Sequence, residues 1–197
     1  MKPNLKVVKT EQLIQKAFIK IVSQKSFSKL TVNAIITEAH ISRGTFYLHY
    51  ADKFDLLAHY ESALLAGITT IFQRFPKPLS SDNPLRTNQN AFYQLFNYLS
   101  KNRELTNVLL QNPESDIVKR VKALIFNEIQ LTGPSEKSVD QLPIPEDYAR
   151  EIIVQNILVI IVFWLNKTTP ENPEVVFNIF LRSRQLSPID LSRILSK

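Results

Sequence analysis

HISRGTFYLHYADKFDLL, residues 40–57, carries one of only three glycines in a chain of 197 residues. Gly44 falls where a helix is starting, just ahead of Phe46, Tyr47 and Tyr50. A glycine inside a helix costs about 0.5–1 kcal/mol relative to alanine, so its place there needs a reason. Immediately upstream, TVNAIITEA (31–39) puts Val32, Ile35, Ile36 and Ala39 on one apolar face. Thr31 can N-cap that helix, although Ala34 stands where a full capping box needs Glu or Gln. His40 then has to make a tight turn, for which the left-handed region is required; His is among the residues that tolerate it. Ile41 packs inward and Ser42 caps the next helix. Two short helices joined by about three residues, the second bearing Arg43, Thr45 and Tyr47, read as a helix-turn-helix.

In that motif the start of the second helix enters the major groove of DNA. A missing side chain at Gly44 lets the backbone come close to base edges or phosphates, and a helix start favours an anion. Arg43 suits guanine O6 and N7, while Thr45 and Tyr47 offer hydroxyls to phosphate or base. Phe46 and Tyr50 are expected in the core. His49 is placed to reach a backbone phosphate, and Asp52 to cap a long fourth helix whose first turn carries Lys53 towards another. Taken singly, each residue has a plainer explanation: Gly44 can relieve crowding between helices, and Ser42 is a cap rather than a nucleophile. The three histidines have no i, i+4 pair on a helix, and with no cysteine in the chain no metal is expected.

Working outward, Leu13, Ile14, Ala17, Phe18, Ile21 and Val22 form the stripe of a first helix over about Thr10 to Gln24. Residues 1–60 hold nine Lys and Arg against four Asp and Glu, so nearly all of the formal +6 charge lies in the first third. Such a footprint suits a polyanion. No proline occurs between Pro3 and Pro76; the later ones gather in expected loops at 75–84, 111–115, 131–147 and 166–174. The β-branched run Ile157–Phe163 has strand character, but it continues a pattern of about 20 residues opened by Pro145-Glu146-Asp147, which favours a helix. The expectation is an all-α chain of about nine helices. MKPNLKVVKTEQL lacks the apolar core of a signal peptide, and the 14 apolar-rich residues Ile152–Leu165 fall short of the roughly 20 that span a bilayer. A cytoplasmic protein with no membrane partner is expected.

The segment LTVNAIITEAHISRGTFYLHYADKFDLL resembles the DNA-binding domain of the TetR family of bacterial transcriptional regulators. The matching positions are Thr31, Val32, Ile35, Ala39, Ile41, Ser42, Gly44, Thr45, Phe46, Tyr47, His49, Tyr50, Lys53 and Leu56, and the likeness covers about residues 10–60. It implies phosphate contacts at Thr31 and Lys53, a groove-facing set of Arg43, Gly44, Thr45 and Tyr47, and His49 at the backbone edge. His40 departs from the usual glycine, and Leu48 from a position often aromatic or polar. Asn33 also departs from the pattern and can itself make a polar contact to DNA.

The resemblance further implies a helix-turn-helix domain at 1–52 and a helical ligand-binding and dimerisation domain at 53–197. It implies a palindromic operator in double-stranded DNA, and a homodimer formed by the last two long helices, here about 145–167 and 172–185. The aromatic residues Phe72, Phe75, Phe92, Tyr93, Phe96, Tyr98 and Phe126 suggest a small apolar or aromatic effector, with plain core as the bland alternative. A repressor released by such an effector is the expected function; a TetR-like regulator controlled by a protein partner is the alternative. No phosphate-binding loop, G-x-S-x-G or paired-acid motif supports catalysis, so no enzyme activity, catalytic residue or cofactor is expected.

Overall fold

The computed structural model describes residues 5–77, 87–130 and 144–196; most of the expected loops at 75–84 and 131–147 lie outside them. Among the described residues the chain is all-α, with ten α-helices and one 3-10 turn (Thr87–Gln89). It forms two compact units. One comprises the residues up to 66 together with 102–120; the other comprises 67–101 and 121 onwards.

In the first unit, α1 (Leu5–Lys25) starts a turn and a half earlier than expected. Thr10 does not open it. Its Oγ1 donates back to the Lys6 carbonyl at 3.0 Å, as a threonine inside a helix does. The buried face is Ile14, Ala17, Phe18, Ile21 and Val22. Ser26, at φ 68°, ends α1 in the left-handed region, and the turn sends Phe27 and Leu30 back into the core. Thr31 Oγ1 accepts from Ala34 N at 3.1 Å and opens α2 (Val32–Ala39).

His40 closes α2 at φ 53°, ψ 43°, the left-handed residue that the tight turn requires, and Ile41 N–H returns to the Ile36 carbonyl at 3.1 Å. Ser42 Oγ accepts from Thr45 N at 3.0 Å and starts α3 (Arg43–Tyr47). Asp52 accepts from the N–H groups of Phe54 and Asp55, both at 2.8 Å, and opens α4 (Lys53–Arg74). The unit is completed by α6 (Arg103–Gln111), which packs on α1, and by the first turn of α7 (Ile117–Gln130), which is held on α4 at Glu61. The core is aromatic at its centre: the Phe18 ring lies 5.1 Å from Tyr60 and 6.4 Å from Phe27, and Tyr50 lies 5.8 Å from Phe46.

The second unit holds the remainder of α4 and α7 with α5 (Ala91–Lys101), α8 (Glu146–Asn166), α9 (Pro173–Ser183) and α10 (Pro188–Leu195). Asn172 caps α9 through Val175 N at 3.0 Å. A ring stack runs through the core, with Phe92 at 5.6 Å from Phe72 and 5.0 Å from Phe180, and Phe96 at 5.6 Å from Phe180 and 5.5 Å from Trp164. Gly67 is required for packing here, since a Cβ at that position would run into the Tyr98 ring. Ile157–Phe163 is helical, as length indicated. The full 21 residues of α8 make it long and apolar enough to cross a bilayer, which the shorter apolar run did not suggest. One side of it is nevertheless buried inside this unit through Val154, Ile157, Leu158, Ile161, Trp164 and Leu165.

Candidate nucleic-acid interface

Helix α3 has five residues, and its sequence divides them between two environments. Phe46 is fully buried, with Tyr50 one turn on also in the core. That leaves Arg43, Gly44, Tyr47 and Leu48, spaced by three and four, on one solvent-facing strip. The Arg43 guanidinium lies 5.8 Å from the centre of the Tyr47 ring, within cation–π range on the exposed strip. Thr45 is half-buried at the edge of the strip. Its Oγ1 lies 2.8 Å from Ser42 Oγ, which fixes the hydroxyl beside the helix start.

Gly44 answers the question raised by its place in a helix. Its φ is not positive, and a Cβ built on it meets nothing nearer than Ser42 Oγ at 3.9 Å. Crowding between helices is therefore not the reason for the glycine. The space above it is open to solvent, in the middle of the Arg43–Tyr47 strip.

The flanking residues are placed less uniformly. Thr31 and Asn33 are both exposed at the start of α2; Thr31 Oγ1 accepts a backbone N–H, which leaves its hydroxyl proton to donate. His49 turns towards α1, with Nδ1 at 3.9 Å from Glu11 Oε2. Lys53 is half-buried, and its ammonium donates to the carbonyls of Phe27 and Ser28, both at 3.2 Å. Sequence reasoning assigned no contact to Leu48, which is 86% exposed beside Tyr47. The signal was present: with Phe46 and Tyr50 facing in, position 48 has to face out, where an apolar side chain can meet a thymine methyl. Exposed ion pairs such as Lys20–Glu38 (2.7 Å) join α1 to α2 and add about 0–1 kcal/mol.

A helix-turn-helix with this outward strip, on a chain with this helix order, matches two family models. Residues 14–60 match that of the bacterial regulatory proteins of the tetR family, and residues 86–184 a transcriptional regulator C-terminal region. The chain belongs to the TetR family. As a TetR-family member it is a DNA-binding transcriptional regulator of the helix-turn-helix type.

A stretch of 53 residues is 40% identical to an uncharacterized HTH-type transcriptional regulator, YxbF, of Bacillus subtilis (strain 168). That stretch is 26% of this TetR-family chain but only 14% of YxbF. Among solved structures, a TetR transcriptional regulator from Streptococcus agalactiae 2603V is similar over 90% of this chain and 94% of its own, at 20% identity and a TM-score of 0.60. The fatty acid degradation regulator FadR from Bacillus halodurans is similar over 87% and 94%, at 14% identity and a TM-score of 0.56. At such identities the likeness is one of fold.

Proposed function

We propose that this TetR-family chain is a homodimeric repressor that binds a palindromic operator and is released by an effector. The reading strip is Arg43, Gly44, Thr45 and Tyr47, flanked by Thr31, Asn33 and His49, with Lys53 at the start of α4. Residues 1–52 then act as the DNA-binding part and 53–197 as the effector-binding and dimerising part, in a cytoplasmic protein without a catalytic role. The observation that carries the reading is Gly44. The fold has no internal need for a glycine at that site, so the penalty in helix stability is explained by something that approaches from outside.

Dimerisation draws support from α8 and α9. Tyr148, Ile152, Val159 and Phe163 are exposed at spacings of four and seven along α8, as are Val175 and Ile179 on α9. Monomeric proteins rarely leave such stripes in water. Two copies related by a two-fold axis would set the recognition helices against consecutive major grooves, about 34–36 Å apart. An effector acts by favouring a dimer in which that spacing is lost.

A second reading, control by a protein partner, has one observation in its favour. Phe72, Phe92 and Phe96 are buried against one another's neighbours in the ring stack, so those aromatic side chains already serve as core.

The test is selection from a random duplex library with the purified chain near physiological salt, with Tyr47→Ala as control. Enrichment of a palindrome that the variant loses supports the reading. Enrichment indifferent to Tyr47 reduces the basic head to nonspecific electrostatics.

A further inference from the structure

The start of α4 contains an arrangement that a simple phosphate contact does not explain. Lys53 is the first residue of the helix, at the positive end of the macrodipole, where a cation is disfavoured. Its ammonium is turned back onto the protein. Two of its three N–H donors go to the carbonyls of Phe27 and Ser28, and the charge sits 4.8 Å from the Phe27 ring centre and 5.2 Å from that of Phe54. The two rings also pack on each other, edge-on at 5.6 Å.

These contacts converge on the turn between α1 and α2. Ser26 is left-handed, Phe27 is buried, and the Phe27 carbonyl accepts from Leu30 N at 3.0 Å as well as from Lys53. The next residue, Thr31, caps α2 and faces solvent with Asn33. We infer that Lys53 is a positioning residue for DNA binding: it clamps the 26–30 turn to the start of α4 and so sets where Thr31 and Asn33 meet the phosphates. This rests on the DNA-binding reading of the helix-turn-helix. It assigns the lysine a mechanical role where the sequence suggested a phosphate ligand.

The two roles separate by salt dependence. A lysine that neutralises a phosphate contributes about one unit to the slope of log K against log salt, whereas a positioning residue lowers K without changing the slope. The 197-residue chain, Lys53→Met and Lys53→Gln are titrated with a duplex of about 30 base pairs and fixed sequence, at several salt concentrations between about 50 and 200 mM. Amide exchange at Leu30 is followed in parallel. Gln keeps an uncharged donor on a stem one bond shorter, so it restores part of a clamp but none of a charge.

The expected result for Met is about tenfold weaker binding with an unchanged slope and faster exchange at Leu30, with Gln lying between Met and wild type. If Met does not fold, Gln carries the comparison. A slope shallower by about one in both variants, with Leu30 exchange at the wild-type rate, makes Lys53 a phosphate ligand and overturns the inference. Unchanged binding with only a lower melting temperature also overturns it, leaving a purely structural lysine. If wild type fails to bind the duplex at the lowest salt, the DNA-binding reading itself falls, whatever Leu30 exchange shows for the clamp.

Discussion

Arg120 Nη1 lies 3.2 Å from Glu61 Oε2, and this carboxylate, 7% exposed in the middle of α4, also accepts from Ser115 Oγ at 2.6 Å and Asp116 N at 2.9 Å. Every donor comes from the segment that starts α7, so a single buried acid fixes that start on α4. Glu61→Ala should destabilise the chain by about 1–2 kcal/mol, because it removes the shared acceptor of three donors that are themselves partly exposed and can turn to water. Glu61→Gln keeps one acceptor and should cost about 1 kcal/mol. Urea midpoints of the two variants check the order; equal losses would mean that the arginine pair carries all of the effect.

Gly44 gives a prediction of opposite signs. With open space above it, Gly44→Ala should raise helix stability by about 0.5–1 kcal/mol. The same methyl stands on the strip between Arg43 and Tyr47, so operator binding should fall by at least tenfold, about 1.4 kcal/mol. Thermal unfolding and fluorescence anisotropy on a selected duplex measure the pair. A variant that gains stability and keeps its affinity would remove the main support for the proposed function.

Phe46 and Tyr47 are neighbours in sequence with rings 5.6 Å apart and edge-on, yet one is fully buried and the other half out in solvent. Phe46→Ala should cost about 3–5 kcal/mol as a core deletion. Tyr47→Ala should stay within about 1 kcal/mol of wild type in stability and lose operator binding. Circular dichroism melts beside binding curves separate the two kinds of defect.

The contrast also shows what could be read from sequence. His40 in the left-handed turn, Ser42 and Asp52 as caps, and the inward Phe46 and Tyr50 are matters of local chemistry, settled within four residues of chain. The stripe Leu13–Val22 marks only the packed part of α1; residues 5–9 are exposed and carry no core-facing pattern, and Thr10 lies inside the helix, bonded back to Lys6. The helix α10 has its own signals, a Ser187–Asp190 capping box with Pro188 at its first position and Leu191, Ile194 and Leu195 at spacings of three and four, but no residue of it is buried. Lys53 and His49 are oriented by distant parts of the chain. Their partners, the Phe27 and Ser28 carbonyls and Glu11, lie more than twenty residues away in the chain, beyond any local pattern.

Tyr50 and Tyr60 set an alkaline limit on the first unit. Burial, with the Glu11 carboxylate adding to it, pushes both phenols above their ordinary value of 10.0. The folded state therefore holds these protons more tightly than the unfolded chain. Their contribution is fully present below about pH 10 and is lost as the pH rises above it, by up to about 1.4 kcal/mol per pH unit for each group. Chemical unfolding between about pH 9 and 11.5 should show this fall, and Tyr50→Phe should make it shallower. A wild-type curve that stays flat across that range would mean that the phenols ionise freely in the fold.

Val159 and Phe163, one turn apart on α8, are 61% and 66% exposed although both are large and apolar. The opposite side of the helix is committed to Ile157, Ile161 and Trp164 in its own unit, so these two can gain burial only against something else. If that partner is a second copy, a two-fold axis brings each stripe against its equivalent, and one substitution acts twice in the interface. Phe163→Glu should then weaken the dimer by well over tenfold, since two carboxylates would face each other across an apolar contact. The monomer should keep its melting behaviour, because the side chain leaves no core vacancy. Sedimentation velocity over a range of concentrations reads the shift, and operator binding should fall with it, since one head reaches one half-site. A variant that stays dimeric would place the dimer interface elsewhere and leave the α8 stripe to a different partner.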